Sequence, residues 1–215
     1  MTSFAGFDTS VYPGDAVMAL LKPHFTWCCS YMVAPSHPEG DWTAADGRLI
    51  QAGWSLLDIY VGQQVTGPGS HRASALQGMA DAGDAVRQMI ARGRAFGLAC
   101  VLDNEQGPPL EDPMLAYDIA WARRVAAEGF KPIIYASHLM AKDIAEAIPE
   151  AGLFIYDIST IARTTASPPF PTPDMSTFGC PQAIACQFRQ NVALPDFGIV
   201  VDLDVAATAD PAASG

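Results

Sequence analysis

The sequence predicts an α/β fold, a single (β/α)8-like barrel of the TIM type that is less regular in its second half. Three observations predict it. Eight short runs are nearly continuous in apolar residues, as strands covered on both faces are. Helical patterns stand between several of them, and strand–helix alternation implies a parallel sheet. Eight such strands can close on themselves, and 215 residues make a small version of a barrel that usually takes about 250.

The elements follow in order. Phe4–Asp8 is the first run, and a weak helical pattern covers 13–21. Phe25–Tyr31 is the second. Residues 43–52 read as a helix that Thr43 can cap and Gly53 ends. Trp54–Val61 is the third run. Over 73–92, Leu76, Met79, Ala80, Gly83, Val86 and Ile90 recur at spacings of three and four until Gly93 stops the helix. Gly97–Asp103 is the fourth run, followed by a helix at 113–128 on Leu115, Ile119, Ala122 and Val125. Lys131–Ala136 is the fifth, after which Ser137 can cap a helix at 138–147 that Pro149 closes. Leu153–Asp157, Ile184–Phe188 and Ile199–Leu203 complete the set. The stretch 159–181 is rich in Pro, Ser and Thr; a connection that long is expected to serve function and overhang the working rim. One domain spans 1–205, and 206–215 reads as a loose tail.

Composition narrows the function classes. The net charge of −11 gives no basic footprint for nucleic acid and none for an anionic membrane surface. No apolar run approaches the roughly 18 residues that would span a bilayer. The start has no basic region ahead of an apolar stretch, so no signal peptide is expected. The chain would be made in the cytoplasm and would reach a cell wall by lysis, phage or a secretion system. Cys28, Cys29, Cys100, Cys180 and Cys186 show no zinc-ligand spacing and read as buried free thiols. His24, His37, His71 and His138 fall in no metal pattern, so neither metal nor cofactor is expected.

The chemistry gathers at the strand ends, where β/α barrels build their active sites. "VLDNEQG" at 101–107 ends a buried run with two acids one residue apart. On a strand, Asp103 and Glu105 would share a face, with Cβ atoms roughly 6 to 7 Å apart. Two carboxyls that close resist joint ionisation, and one should retain its proton. Asp8 ends the first strand and Asp202 lies at the end of the last. Tyr31, Tyr60 and Tyr135 end others, and Gln187 stands on the seventh. Carboxylates beside tyrosines suit a sugar-cleaving cleft, the acids for proton transfer and the rings as flat apolar faces.

Four motifs carry a resemblance. "GFDTSVYPGD" at 6–15, "VLDNE" at 101–105, "GFKPIIYAS" at 129–137 and "IACQFRQNVALPDFGIVVDLDV" at 184–205 resemble glycoside hydrolase family 25, the lysozyme-like muramidases. "DWTAADGRLIQAGWSLLDIYVGQQ" at 41–64 looks like a sister group, the glycoside-hydrolase-like domains of unknown function typified by a secreted mycobacterial protein. The resemblance implies hydrolysis of a β-linked amino-sugar polymer, peptidoglycan first. It makes Glu105 the proton donor, with Asp103 orienting substrate or stabilising charge. Asp8 and Asp202 would line the same cleft and Gln187 would support it; from their place at strand ends, independently of the resemblance, Tyr31, Tyr60 and Tyr135 are expected to contact the glycan. Glu105 is expected to be partly buried and Asp103 ionised. One departure stands out: where the muramidases carry a Lys-Ala-Thr-Glu-Gly-like stretch, this chain reads "CCSYMVAPSHPEG" and lacks the Lys. The alternative is a barrel that binds carbohydrate or a partner without catalysis.

Overall fold

Period-two alternation along the strands decides which side chains fill the barrel and which meet the helices. The computed structural model describes residues 2–110, 112–158 and 164–213. Among these, the strands are β1 (Phe4–Asp8), β2 (Trp27–Tyr31), β3 (Ser55–Val61), β4 (Ala99–Asp103), β5 (Lys131–Ser137), β6 (Gly152–Tyr156), β7 (Thr164–Thr165), β8 (Ala183–Leu194) and β9 (Ile199–Ala206). The helices are α1 (Asp15–Leu21), α2 (Asp41–Gln51), α3 (Ala75–Ala91), α4 (Asp112–Ala127) and α5 (Ala141–Ala147). β1 to β6 pair in sequence order, β6 pairs with β8, and β9 joins β8 to β1. Eight strands therefore close a barrel, and β7 is an extra strand on the outer part of β8.

The inner residues include Trp27, Val101 and Phe154, with the Trp27 and Phe154 rings 6.2 Å apart. Residues of the opposite parity, Cys100, Leu102 and Ile134, pack beneath Ala85 and Met89 of α3 and Trp121 and Val125 of α4. Gly6 is required by the inner packing: a Cβ there would lie 2.2 Å from Cε2 of the fully buried Trp27. Gly6→Ala should therefore destabilise the fold by about 3 kcal/mol. The melting temperature should fall by roughly 5 to 10 °C. An unchanged melting temperature would show that Trp27 can move aside.

A buried ionic clamp ties three layers together. Arg92 and Arg94, in the turn before β4, hold Asp46 of α2 and Asp58 of β3 at 2.6 to 3.0 Å, all four side chains being nearly inaccessible. Arg92 also donates to Ser30 of β2. Each guanidinium is matched by carboxylates, the condition under which charge can be tolerated in a core.

Three expectations are corrected. The last strand is antiparallel to both neighbours, so the barrel departs from eight parallel strands. β8 is twelve residues long and turns into β9 through Pro195–Gly198, a hairpin rather than a crossover. Secondly, 164–178 does not overhang the working rim. Phe170 stacks on Phe25 at 4.8 Å and neighbours Phe197 of the hairpin turn, on the outer layer. Residues 159–163 of that stretch lie outside the described residues. Thirdly, the tail through residue 213 is docked. Ala206 completes β9, Pro211 and Ala212 are buried, and the Ala99 N–H donates to the Ala212 carbonyl at 2.8 Å. The strand-start amide of β4 needs an acceptor, and the Pro-Ala pair brings one with little polar surface. All five cysteines are free, four of them buried and Cys180 half-buried.

Candidate active site

A cleft of about 730 Å³ opens at the barrel end where β1 to β4 finish. Asp8, Asp103, Glu105 and Asp202 all line it, with Tyr31, His37, Trp42 and Gln64. A recess of about 50 Å³ at its base adds Tyr135 and Gln187 and shares the same four acids. The structure thus brings together seven of the eight residues singled out from sequence. No residue of 164–181 lines either space.

The segment after β4 divides its labour by side-chain direction. Asp103 ends the strand facing inward and is buried. Asn104 turns the other way and donates to Asp118 Oδ2 of α4 at 2.7 Å. Its own N–H donates to the Tyr135 carbonyl at 3.1 Å, fastening the segment to β5. Glu105 then emerges at the cleft, exposed. Gln64, buried beyond β3, holds both acids in place: its Nε2 donates to the Asp103 carbonyl at 3.0 Å, and its Oε1 accepts the Glu105 N–H at 3.3 Å. The expected protonation pattern is corrected here. Asp103, not Glu105, is the buried member, and burial first, then the charges of Glu105 and Asp8, push its carboxyl well above the ordinary range. Its Oδ1 has no hydrogen-bond partner among the described residues. Burial also pushes Asp118 up to about 8, against the opposing bond from Asn104.

Across the cleft, β1 and β9 place Asp8 directly opposite Asp202. Asp202 reaches the rim because β9 runs antiparallel; in a parallel last strand that rim would lie at the other end. The Tyr31 hydroxyl donates to Asp8 Oδ1 at 2.7 Å. Burial raises Asp8 to about 6, partly offset by Tyr31 and by a bond from Asp204. Asp202 accepts from Gln187 Nε2 at 2.7 Å and from the Asn191 N–H at 2.6 Å. That amide is aimed by irregular register in β8, where Asn191 takes a φ of 56°, a left-handed conformation Asn tolerates. Burial and then the charge of Asp8 raise Asp202 to about 7. Gln187 in turn accepts from the Tyr135 hydroxyl.

Tyr60 is the one predicted residue placed elsewhere. It points out of the barrel, packs with the α3–α4 layer and donates to Asp84 of α3 at 3.3 Å. Parity explains it: Val61, the next residue, pairs with Asp103 and is the one that lines the cleft. Several site residues escaped the sequence reading. His37 lies beside Tyr31, ring centroids 5.2 Å apart, with Nε2 3.0 Å from the Ser10 carbonyl. Trp42 donates from its indole to the Thr9 carbonyl at 3.0 Å and shapes the same wall. Asp204 sits one step below Asp202 on the same face, fully buried, its carboxyl pushed well up by burial and by Asp8 and Asp202. Period two from Asp202 would have flagged it; nothing in the sequence marks His37 or Gln64. Carboxyls poised near neutrality around one exposed acid can exchange protons and stabilise positive charge.

Among the described residues, no group of three or more His, Cys, Asp or Glu has an arrangement that could hold a metal ion.

Solved structures share the fold. The spore cortex lytic enzyme SleM of Clostridium perfringens superposes with a TM-score of 0.69 at 13% identity, over 95% of this chain and 67% of that one. The modular autolysin LytC of Streptococcus pneumoniae gives 0.66 at 10% identity, over 94% of this chain and 46% of that one. An uncharacterized protein of B. stearothermophilus gives 0.65 at 16% identity, over 94% and 95%. No curated protein matches the sequence. The Rv2525c-like glycoside hydrolase-like domain model matches residues 36–194, most of the barrel and both acids of the VLDNE segment, and the chain belongs to that family.

Proposed function

We propose that the protein hydrolyses a β-linked amino-sugar polymer, peptidoglycan first. The observation that carries the reading is the convergence of Asp8, Asp103, Glu105 and Asp202 on one cleft, with Glu105 the only one of the four exposed to an incoming chain. Glu105 gives its proton to the glycosidic oxygen as the bond breaks. Asp8 and Asp202, each held by donors, place negative charge beside the oxocarbenium-like centre. Asp103, with an unpartnered oxygen, orients the 2-acetamido group. Tyr31 and Trp42 give the sugar ring apolar walls. The fold kinship with SleM and LytC supports this choice of polymer, as does a LytC structure in complex with synthetic peptidoglycan ligand.

The test is direct. Purified peptidoglycan and chitin oligomers are incubated with the protein, and new reducing ends are measured. Release from peptidoglycan is expected, with an acid limb of activity between about pH 6 and 7, where Asp8 and then Asp202 lose their protons. Retention of polymer in a pull-down with no new ends on either substrate would replace hydrolysis with a binding role.

A further inference from the structure

We infer that a second cavity beside the cleft, centred on Arg72, binds a carboxylate carried by the glycan, on its lactyl ether or on an attached peptide. The inference rests on the function proposed above and names the substituent the site selects. The cleft is lined by Asp8, Glu39, Asp41, Asp103, Glu105 and Asp202, and among the described residues no Lys or Arg lines it. An anionic polymer entering it meets carboxyl groups and no described basic side chain of Lys or Arg. Directly adjoining is a cavity of about 610 Å³ that shares Ser36, Glu39 and Pro68 with the cleft and adds Ser70, His71 and Arg72. Among the described residues, Arg72 and Arg189 make no ion pair and no side-chain hydrogen bond, whereas Arg48, Arg87, Arg92, Arg94, Arg123 and Arg124 are each paired with an acid; of the two, only Arg72 adjoins the cleft.

The cavity wall is built, not loose. Ser36 Oγ donates to the Gly62 carbonyl at 2.7 Å and accepts the Ser70 N–H at 3.0 Å. Gly69 permits that approach, since a Cβ there would lie 2.4 Å from Ser36 Oγ. The Arg72 N–H donates to Gln63 Oε1 at 2.9 Å, fixing the backbone from which the guanidinium projects. His71 Nδ1 lies 2.8 Å from the Gln64 carbonyl, which sets Nδ1 as the donor and leaves Nε2 facing outward. Gln64 is also the residue that holds Asp103 and Glu105. The anion site and the proton-transfer segment are therefore mounted on the adjacent residues Gln63 and Gln64, so a carboxylate seated on Arg72 fixes the glycan's position and direction relative to Glu105. Glu39 opposes this charge from the cavity's edge, its Oε2 3.9 Å from His37 Nδ1.

The test measures binding, using the Glu105→Gln protein so that ligands stay intact. Ligands are muramic-acid-containing oligosaccharides with a free lactyl carboxylate, the same with a stem peptide, and both with carboxyls capped as amides. Chitin oligomers of equal length serve as the neutral reference. A free carboxylate should tighten binding about five- to tenfold over its capped form, the scale of a charge-assisted bidentate contact. Added salt should shrink that ratio. Arg72→Gln should bring it to about one, and Arg72→Lys should restore part of it. Whichever free ligand shows the effect identifies the carboxylate's source. Equal affinity for free and capped ligands, or a ratio untouched by Arg72→Gln, overturns this inference alone. Failure of every amino-sugar oligomer to bind overturns the proposed function and this inference with it.

Discussion

Replacing Glu105 with Gln should cut the release of reducing ends from peptidoglycan by about 10²- to 10⁴-fold, the contribution of a general acid. The melting temperature should stay within about 1 °C, because surface changes away from packed features are nearly neutral. The structure gives reasons for both halves. The side chain is exposed, so no packing or desolvation changes with the substitution. The backbone N–H that Gln64 accepts is the same in either residue. Only the exchangeable proton is lost. Asp103→Asn provides a contrast: that side chain is buried and already favours its neutral form, so an amide resembles it more closely. A loss of less than tenfold for Glu105→Gln would remove Glu105 from the proton-donor role.

The second large effect concerns stability. The protein should be most stable near pH 4 and should lose stability as pH rises towards 8. In the unfolded chain these aspartates titrate near 3.9. In the folded protein burial holds Asp8 at about 6, Asp202 at about 7 and Asp118 at about 8, with Asp103 and Asp204 raised well above the ordinary range. Between pH 4 and 8 the unfolded chain therefore sheds protons that the native state keeps, and stability falls with rising pH. Asp8 alone accounts for about 3 kcal/mol of this slope. Repulsion within a chain of charge −11 pushes the same way, so a site-specific control is needed. Asp204→Asn supplies it. Asp204 lies deep in the barrel, both its oxygens lack a partner among the described residues other than the neighbouring carboxyls, and an amide there can still donate to Asp8. The variant should melt several degrees higher at pH 8 and show little gain at pH 5, measured by calorimetry across the range. A wild-type melting temperature that climbs from pH 5 to 8 would contradict the buried-acid account.

Much of this was legible in the sequence because burial writes itself as apolar runs. The first six strands stand where continuous hydrophobicity placed them, and Asp8, Asp103 and Glu105 follow from strands ending at one rim. The failures share a cause: direction and parity are not written in composition. Ending the seventh strand at Phe188 left ten residues before the last one, already a short connection for a crossover. The strand in fact continues to Leu194, leaving four residues, too few for the dozen or more that a parallel connection needs. Polar residues at Arg189, Gln190 and Asn191, where the register slips, masked that continuation. Tyr60 failed by one residue of parity, since a shift of one exchanges the faces of a strand. The docked tail failed because Pro-Ala sequences resemble loose ends unless an unpaired amide awaits them, and Ala99 lies more than a hundred residues earlier.

The pairing of Asp8 with Asp202 also has a consequence for biosynthesis. Asp8 stands on the first strand of the barrel and Asp202 on the last, so they meet only when both strands have been made. Until the final strand follows, β1 and β8 are raw edges, and the cleft lacks one wall. A chain that stops before β9 therefore carries no assembled cleft. The convergence of the four acids is the closing event of folding, when a long sequence separation has finally been bridged.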